Sequence, residues 1–298
     1  MILSSSSPLR LTGNWWRAHS KATLSPIRFQ LQRLAYCRHI SLSTATTGKR
    51  LAGKVAIITG GGGGLGKGTA RKFVEEGAQV IVAELKHESG SATAKELGCD
   101  FQKCDVSKEG DWQALLKYVD TKYGRLDSVI NNAGTSYRNK ATVEVTENEF
   151  DLVFAVNVKA IYHSYNVLVP YIKKKGIGGS FVTIGSVAAV SPTLGLTWYN
   201  ASKAAVMLAS KSLALEYASD KIRFNNVLPT FAPGTVIFRQ NRFLGLPEDQ
   251  KEFESNLPQP MGRGCTPRDI ANACCYLCSD EADFVTGIDL PVDGGRLI

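Results

Sequence analysis

The chain has 298 residues, of which 44% are hydrophobic and 21% charged, a composition typical of a globular protein. Its formal net charge of +8 arises in the first 50 residues, which carry eight Lys and Arg side chains and no acidic one. The other residues balance 27 basic against 27 acidic side chains, which excludes the basic surface expected of a nucleic-acid-binding protein, and there is no run of 18 apolar residues to predict a membrane span.

The basic segment, residues 1–50, is rich in Ser, Arg and Leu, and the first acidic residue of the chain is Glu75. This composition is typical of a mitochondrial transit peptide. The sequence RHIS, at Arg38–Ser41, resembles a mitochondrial processing site, so we predict cleavage near residues 40/41 and a location in the mitochondrial matrix. A chloroplast transit peptide, or a disordered basic tail on a cytoplasmic protein, is the alternative.

From Lys54 onwards, short apolar runs alternate with segments of helical spacing. The runs predicted as strands are KVAIITG, QVIVAE, CDFQKCDV, LDSVINNAG, GGSFVTIGS, IRFNNVLP and GIDLPVDGG. A capping box at Thr146–Glu149 starts a helix predicted to reach about Lys175, and Pro267 opens the last helix. This alternation predicts a single α/β domain over residues 51–298, with one doubly wound, Rossmann-type parallel sheet.

The sequence TGGGGGLGKG, at Thr59–Gly68, follows the first predicted strand and opens the first helix. Glycine inside a helix or strand costs about 0.5–1 kcal/mol of stability relative to alanine. A run of this many glycines therefore indicates that a ligand phosphate approaches bare backbone. The run fits the dinucleotide pattern G-x-G-x-x-G and the spacing T-G-x-x-x-G-x-G. It fails the P-loop pattern, because Gly68 stands where the magnesium-binding hydroxyl should be.

Glu84 ends the second predicted strand, twenty residues after Gly64. A carboxylate at this position can accept hydrogen bonds from the adenosine ribose and would repel a 2′-phosphate. The sequence therefore favours NAD over NADP as the cofactor. The positive charge of Lys86, two residues later, acts against this inference. The alternative is that Glu84 is a surface residue at a strand end with no role in cofactor binding.

Tyr199 and Lys203, in YNASK, lie four residues apart and share a helix face, and Ser186 follows the fifth strand. A tyrosine hydroxyl, with a pKa near 10, needs a pKa lowered by about 2–3 units to act as a base near neutral pH. We expect the Lys203 ammonium and an oxidised nicotinamide to supply that shift. Ser186 would hold the substrate oxygen.

The seven cysteines form no regular disulfide framework, and the C-x-x-C within CCYLC has no second pair of ligands. Only His87 and His163 remain outside the basic segment. We therefore predict buried thiols and no metal site.

Residues 51–298 resemble the short-chain dehydrogenase/reductase family, which implies a seven-stranded parallel sheet, an NAD(P)-dependent oxidoreductase and a homo-oligomer, tetramer or dimer. The matching motifs, at family spacing, are Thr59–Gly66, Cys104–Val106, NNAG at Asn131–Gly134, Asn157, Ser186, YNASK at Tyr199–Lys203 and VDGG at Val292–Gly295.

The resemblance also implies a role for each matching residue. Asn157, Ser186, Tyr199 and Lys203 would be catalytic, with Asn157 holding a water in a proton relay and Lys203 binding the nicotinamide ribose. The cofactor would contact Gly60, Gly64, Leu65, Gly66, Glu84, Asp105, Val106, Asn132, Ala133, Gly134, Tyr199 and Lys203. The substrate would be a small alcohol or ketone.

One loop departs from the family pattern Pro-Gly-x-Ile/Val-x-Thr, because LPTFAPGT has Thr230 in place of the glycine and a shifted threonine, Thr235. Residues 229–266 would form the substrate loop. A 3-oxoacyl-ACP or 3-oxoacyl-CoA reductase is the alternative activity, and Arg239, Arg242 and Arg263 could then form a docking patch. A dinucleotide-sensing protein without catalysis is the alternative from another class.

Overall fold

The computed structural model describes residues 49–232 and 259–298, so the basic segment and residues 233–258 of the predicted substrate loop lie outside the described residues. The apolar runs form strands within the described part. These are β1 (Val55–Thr59), β2 (Gln79–Glu84), β3 (Asp100–Lys103), β4 (Ser128–Asn131), β5 (Gly179–Ile184), β6 (Ile222–Pro229) and β7 (Asp289–Val292).

Helices alternate with these strands along the described chain. They are α1 (Gly64–Glu75), α2 (His87–Leu97), α3 (Glu109–Tyr123), α4 (Glu147–Phe154), α5 (Ala160–Lys175), α6 (Thr197–Tyr217) and α7 (Pro267–Cys278). The predicted capping box is present, with Thr146 capping α4 together with Glu149, and α7 opens on Pro267 as predicted. The structure adds a second capping box, formed by Thr266 and Asp269 at the start of α7.

The strands form one parallel seven-stranded sheet in the order β3-β2-β1-β4-β5-β6-β7, which confirms the predicted fold class. The chain moves outward from β1 to β3, then returns to the other side of β1 with β4. Ligands of doubly wound sheets bind beyond the carboxyl ends of the strands, at this reversal of order. The glycine run follows β1, so it lies at that point.

Both faces of the sheet are covered, which explains why the strands read as continuous apolar runs. Ile57 and Phe181 belong to a core that α3, α5 and α6 complete. Ile58 and Val182 belong to the opposite core, where the α7 cysteines pack against α1. Of the cysteines in the described residues, Cys99 is half-buried and the others are buried, as predicted.

The helix predicted from Thr146 to about Lys175 is interrupted. Residues Ala155–Lys159 form a π-helical turn between α4 and α5, and Asn157 lies within that turn. A π-turn inserts one extra residue into the helix, and apolar spacing does not reveal it. By length and composition the run Glu147–Lys175 could cross a membrane, but half of its apolar window is buried inside the domain, so it is weak evidence for a span.

Candidate active site

Two features of the glycine loop disfavour side chains: a left-handed backbone conformation at two glycines and a close backbone contact at a third. Gly60 has φ +64° and Gly64 has φ +52°, in the left-handed region that favours glycine. A Cβ on Gly66 would lie 2.2 Å from the Gly60 oxygen and 2.5 Å from Asn132 Nδ2. These contacts hold the start of α1 against the end of β4.

The loop leaves the first turn of α1 open to an anion. Gly63 precedes the helix without a side-chain cap, and no acidic residue lies in the first turn. A Cβ on Gly63 would meet no atom of the protein within 4 Å. Backbone N–H groups and the positive end of the helix dipole favour phosphate at such a position, so the residues present fit a dinucleotide pyrophosphate.

Thr59 ties the glycine loop to the NNAG segment. Its Oγ1 accepts hydrogen bonds from the backbone N–H groups of Asn132 and Ala133, each at 3.0 Å. Asn132 Nδ2 donates to the backbone carbonyl oxygen of Thr59 at 2.8 Å. The structure therefore brings Asn132 and Ala133, which are predicted to contact the cofactor, next to the glycine loop. Leu65, another predicted contact, is half-buried and packs on the hydrophobic core.

Glu84 reaches the glycine loop from the end of β2. Its carboxylate accepts hydrogen bonds from the backbone N–H of Gly62 and of Lys86, each at 3.1 Å. Beyond β3, Asp105 accepts hydrogen bonds from the backbone and hydroxyl of Ser107, and Val106 is buried. The resemblance assigns these residues to the cofactor, and they lie near the carboxyl ends of β2 and β3.

Ser186 and Tyr199 form the centre of the other half. Ser186 follows β5 and its Oγ accepts a hydrogen bond from the Ala188 N–H at 3.1 Å. Burial raises the pKa of Tyr199, and a hydrogen bond to Ser186 acts in the opposite direction. In the protein without cofactor, desolvation of the phenol dominates, and the lowering expected from Lys203 together with an oxidised nicotinamide stays a prediction.

Lys203 is buried, and its ammonium has no acidic partner among the residues that the structure describes. Its Nζ donates to the Ile184 oxygen at 2.9 Å and lies 5.8 Å from the centre of the Tyr199 ring. Burial lowers the pKa of this ammonium to about 8. A lysine with a pKa near neutrality can gain or lose a proton at modest free-energy cost, which suits a proton relay.

The π-turn places Asn157 beside this lysine. Asn157 Oδ1 accepts from the Thr135 N–H at 2.9 Å, and Nδ2 donates to the Thr135 oxygen at 2.9 Å. A Cβ on Gly134 would lie 3.4 Å from both Asn157 Oδ1 and Lys203 Nζ. The four predicted catalytic residues come from three separate segments, the π-turn, the residues after β5 and α6, and all four are buried at the carboxyl edge of the sheet.

Two residues that the sequence analysis missed hold this arrangement. Ser202 Oγ accepts from Asn157 Nδ2 at 3.0 Å and donates to the backbone carbonyl oxygen of Tyr199 at 2.7 Å. Tyr137 accepts the backbone N–H of Trp198 at 3.0 Å, in the first turn of α6, where no side chain of Leu196 caps the helix. Ser202 lies inside YNASK and could have been noticed, whereas Tyr137 carries no local signal.

Among the residues that the structure describes, no cluster of His, Cys, Asp and Glu is arranged to hold a metal ion. Arg263 is bound to Asp269 by two hydrogen bonds, at 2.7 and 2.9 Å, so its charge is already paired. The other two members of the predicted docking patch, Arg239 and Arg242, lie outside the described residues.

Comparison with known proteins agrees with this geometry. Residues 61–296 match a family model described as enoyl-(acyl carrier protein) reductase. The chain is 41% identical to 4-formylbenzenesulfonate dehydrogenase of Comamonas testosteroni, over 82% of this chain and 98% of the relative. It is 36% identical to an NADP-dependent (R)-specific alcohol dehydrogenase of Lentilactobacillus kefiri, over 83% of this chain and 97% of the relative.

A solved structure extends the match to three dimensions. The 3-ketoacyl-(acyl-carrier-protein) reductase of Brucella melitensis, complexed with NADH, superposes with a TM-score of 0.77. It is 34% identical and covers 83% of this chain and 100% of that one. The sheet order, the glycine loop and the buried polar cluster therefore have one explanation: the chain belongs to the short-chain dehydrogenase/reductase family and is an NAD(P)-dependent oxidoreductase.

Proposed function

We propose that the enzyme interconverts a secondary alcohol and a ketone, with Tyr199 as the group that exchanges a proton with the substrate oxygen. When bound, the nicotinamide supplies or accepts the hydride at the substrate carbon. In the reducing direction the Tyr199 hydroxyl gives its proton to the ketone oxygen, and Ser186 holds that oxygen by a hydrogen bond. In the oxidising direction the alcohol proton returns to Tyr199.

The observation that carries this proposal is the buried cluster of Ser186, Tyr199 and Lys203. Burial raises the pKa of Tyr199, so its proton is retained and available for donation. Lys203, with a pKa of about 8, can replace that proton. Asn157, whose side-chain oxygen and nitrogen are both held by hydrogen bonds, positions the proton relay that continues beyond Lys203.

The test uses the full-length chain with a panel of secondary alcohols and ketones, following nicotinamide absorbance with NAD(H) and NADP(H). Tyr199→Phe should reduce turnover by about 10²–10⁴-fold while dinucleotide binding persists. Tyr171→Phe, on α5, which loses only a surface hydrogen bond to Asp120, serves as the control. Turnover that survives Tyr199→Phe would contradict the catalytic role, and bound dinucleotide without turnover of any substrate would favour the sensing protein.

NAD is the cofactor that Glu84 favours. Its carboxylate lies at the glycine loop, where a 2′-phosphate would meet negative charge. The relatives do not agree on this point, since one is named NADP-dependent and the similar structure holds NADH. Glu84→Ala should shift the ratio of kcat/KM for NAD and NADP towards NADP, and an unchanged ratio would contradict the assignment.

A 3-oxoacyl thioester reductase is the second candidate activity, supported by the similarity to the Brucella ketoacyl reductase. Such an enzyme needs basic side chains to dock the acyl carrier, and Arg263 is already paired. Comparing acetoacetyl-CoA with the panel of simple ketones separates the two activities. A much higher kcat/KM for the thioester would favour the second.

Mitochondrial import and homo-oligomer formation complete the proposal. The eight basic and no acidic side chains of residues 1–50 support import, and uptake of a variant lacking residues 1–40 by isolated mitochondria would contradict it.

Exposed apolar side chains on α4, α5 and α6, namely Leu152, Tyr162, Leu208 and Leu215, support an oligomer. Light scattering after gel filtration would measure its mass.

A further inference from the structure

The connecting loop, residues 187–196, joins the two hydroxyls of the proposed reaction. Ser186 precedes this loop, and Tyr199 lies in the first turn of α6, which follows it. The loop begins with a short 3-10 turn, but residues 192–196 form neither helix nor strand. Backbone of this kind keeps one conformation only if groups outside it bond to its polar atoms.

Two asparagine side chains bond to successive carbonyl groups of the connecting loop. Asn200 Nδ2, on α6, donates to the backbone oxygen of Thr193 at 2.9 Å. Asn139 Nδ2, on the segment after β4, donates to the backbone oxygen of Leu194 at 3.0 Å. The Oδ1 atoms of both asparagines are buried and have no hydrogen-bond partner within the described residues. In that part of the chain, the contact with the loop is therefore what offsets the cost of burying each amide.

The next carbonyl of the loop is held by backbone of the segment that carries Asn139. The N–H of Lys140 donates to the backbone oxygen of Gly195 at 3.3 Å. A Cβ on Gly195 would lie 3.3 Å from both the N and the O of Lys140, so the two segments are in close contact. Lys140 also forms an ion pair with Glu149 of α4 at 2.7 Å. The loop is thus bonded at three successive residues to parts of the domain that are themselves fixed.

The spacing of the two hydroxyls matters for the proposed reaction. Ser186 must hold the substrate oxygen while Tyr199 exchanges a proton with the same atom, and a misplacement of about 1 Å can cost about 10²-fold in rate. Leu194 lies in the middle of the irregular part of the loop and is 93% exposed. Apolar packing of this side chain therefore does not hold the loop in place, and the hydrogen bonds to its carbonyl groups do.

We infer that Asn139 and Asn200 are positioning residues, which fix the connecting loop through its carbonyl groups and thereby fix the distance between the Ser186 and Tyr199 hydroxyls. The inference rests on the proposed alcohol/ketone chemistry for the roles of these two hydroxyls. Both asparagines act through the loop and not by contact with the substrate.

The first test measures the loop itself and needs no turnover. Asn139→Asp keeps the shape of the side chain but replaces the Nδ2 donor by an acceptor. Hydrogen exchange of the peptides that cover residues 190–198 of the full-length chain should become about tenfold faster, as expected for the loss of one hydrogen bond. Asn166→Asp, which places the same charge at an exposed position of α5, is the matched control and should exchange as the wild type does.

The second test measures what the loop does for catalysis. With the best substrate of the ketone panel, Asn139→Asp should lower kcat by about 10–10²-fold and leave the KM for dinucleotide within about twofold. In a Ser186→Ala background the same substitution should lower kcat by no more than about twofold, because no Ser186 hydroxyl remains to be positioned. Asn200→Ala, which removes a donor without adding charge, should follow the same pattern.

Unchanged exchange of the loop in both Asn139→Asp and Asn200→Ala would overturn the inference. Faster exchange with unchanged kcat, or an equal loss of kcat with and without the Ser186 hydroxyl, would overturn the positioning role. An inactive wild type whose loop exchanges faster in Asn139→Asp would reject the proposed reaction and support the hold of the asparagines on the loop. Thermal unfolding verifies that each variant is folded.

Discussion

The two halves of the dinucleotide site are built in opposite ways. On the adenosine side the geometry depends on missing side chains, since a Cβ on Gly66 would come within 2.2 Å of the Gly60 oxygen. On the catalytic side it depends on buried polar side chains, each fixed by hydrogen bonds. Asn157, for example, bonds to both backbone atoms of Thr135.

This difference follows from what each half must do. A pyrophosphate binds to backbone N–H groups, which are reached only if side chains are absent. Proton transfer needs titratable groups with shifted pKa values, and burial supplies the shift. Substitutions in the first half should therefore act through steric clash and loss of cofactor, and those in the second half through loss of rate.

The largest effect should come from Lys203→Met. It removes the buried ammonium beside Tyr199, so kcat should fall by about 10²–10⁴-fold. Steady-state kinetics at saturating substrate and cofactor would measure it. Lys211→Met, on the same helix but in an ion pair with Asp289, is the control and should keep kcat within a few-fold. Equal losses in both variants would mean that the helix, rather than the ammonium, is affected.

Gly66→Ala should give the next largest effect, on folding and cofactor affinity. Its methyl group would clash with backbone that cannot move aside, so destabilisation of about 3 kcal/mol or more is expected. Gly63→Ala is the matched control, because it has open space and an extended backbone. Urea unfolding should show a loss for Gly66→Ala alone. If Gly63→Ala weakens dinucleotide binding without loss of stability, the phosphate lies against that residue.

The catalytic half of the site should also make the stability of the protein depend on pH, through the buried Lys203. Lys203 has a pKa of about 8 in the folded protein, against 10.5 as its ordinary value. Below pH 8 Lys203 is protonated in both the folded and the unfolded chain, so the free-energy cost of burying its charge is fully present. Between about pH 8 and 10.5 only the unfolded chain retains the proton, so the unfolding free energy of wild type should rise relative to Lys203→Met.

The rise should amount to at most about 3.5 kcal/mol, from about 1.4 kcal/mol for each of the 2.5 pKa units. Urea unfolding of both proteins at several pH values would measure it. A difference between the two proteins that stays flat from pH 7 to 10 would show that Lys203 is not titrated in this window.

The smallest effect should come from Tyr137→Phe, which removes only a hydroxyl that caps the first turn of α6. Loss of a helix cap costs about 0.5–2 kcal/mol, and a shift of Tyr199 should lower kcat several-fold. Cofactor KM should not change, because the glycine loop is separate. Tyr171→Phe, which loses a surface bond to Asp120, should leave kcat unchanged. A fall in stability with no fall in kcat would limit Tyr137 to a structural role.

Local patterns predicted the strands, the capping box at Thr146, the start of α7 at Pro267 and the buried cysteines, because each depends on neighbouring residues. The π-turn at Asn157 was missed, since its extra residue leaves the apolar spacing on both sides intact. Helix α6 begins at Thr197, two residues before the YNASK motif, where the Tyr137 hydroxyl from a distant loop accepts the backbone N–H of Trp198.

By itself, the sequence determined the alternation that makes a doubly wound sheet, and the residue types at the edge of that sheet. Strand periodicity and glycine spacing are local, and they survive without knowledge of contacts. Only the tertiary structure decided that burial raises the pKa of Tyr199 and lowers that of Lys203. It likewise decided that Asn139 reaches Leu194. Desolvation and unpaired hydrogen bonds depend on residues far apart in the chain, and no local pattern records them.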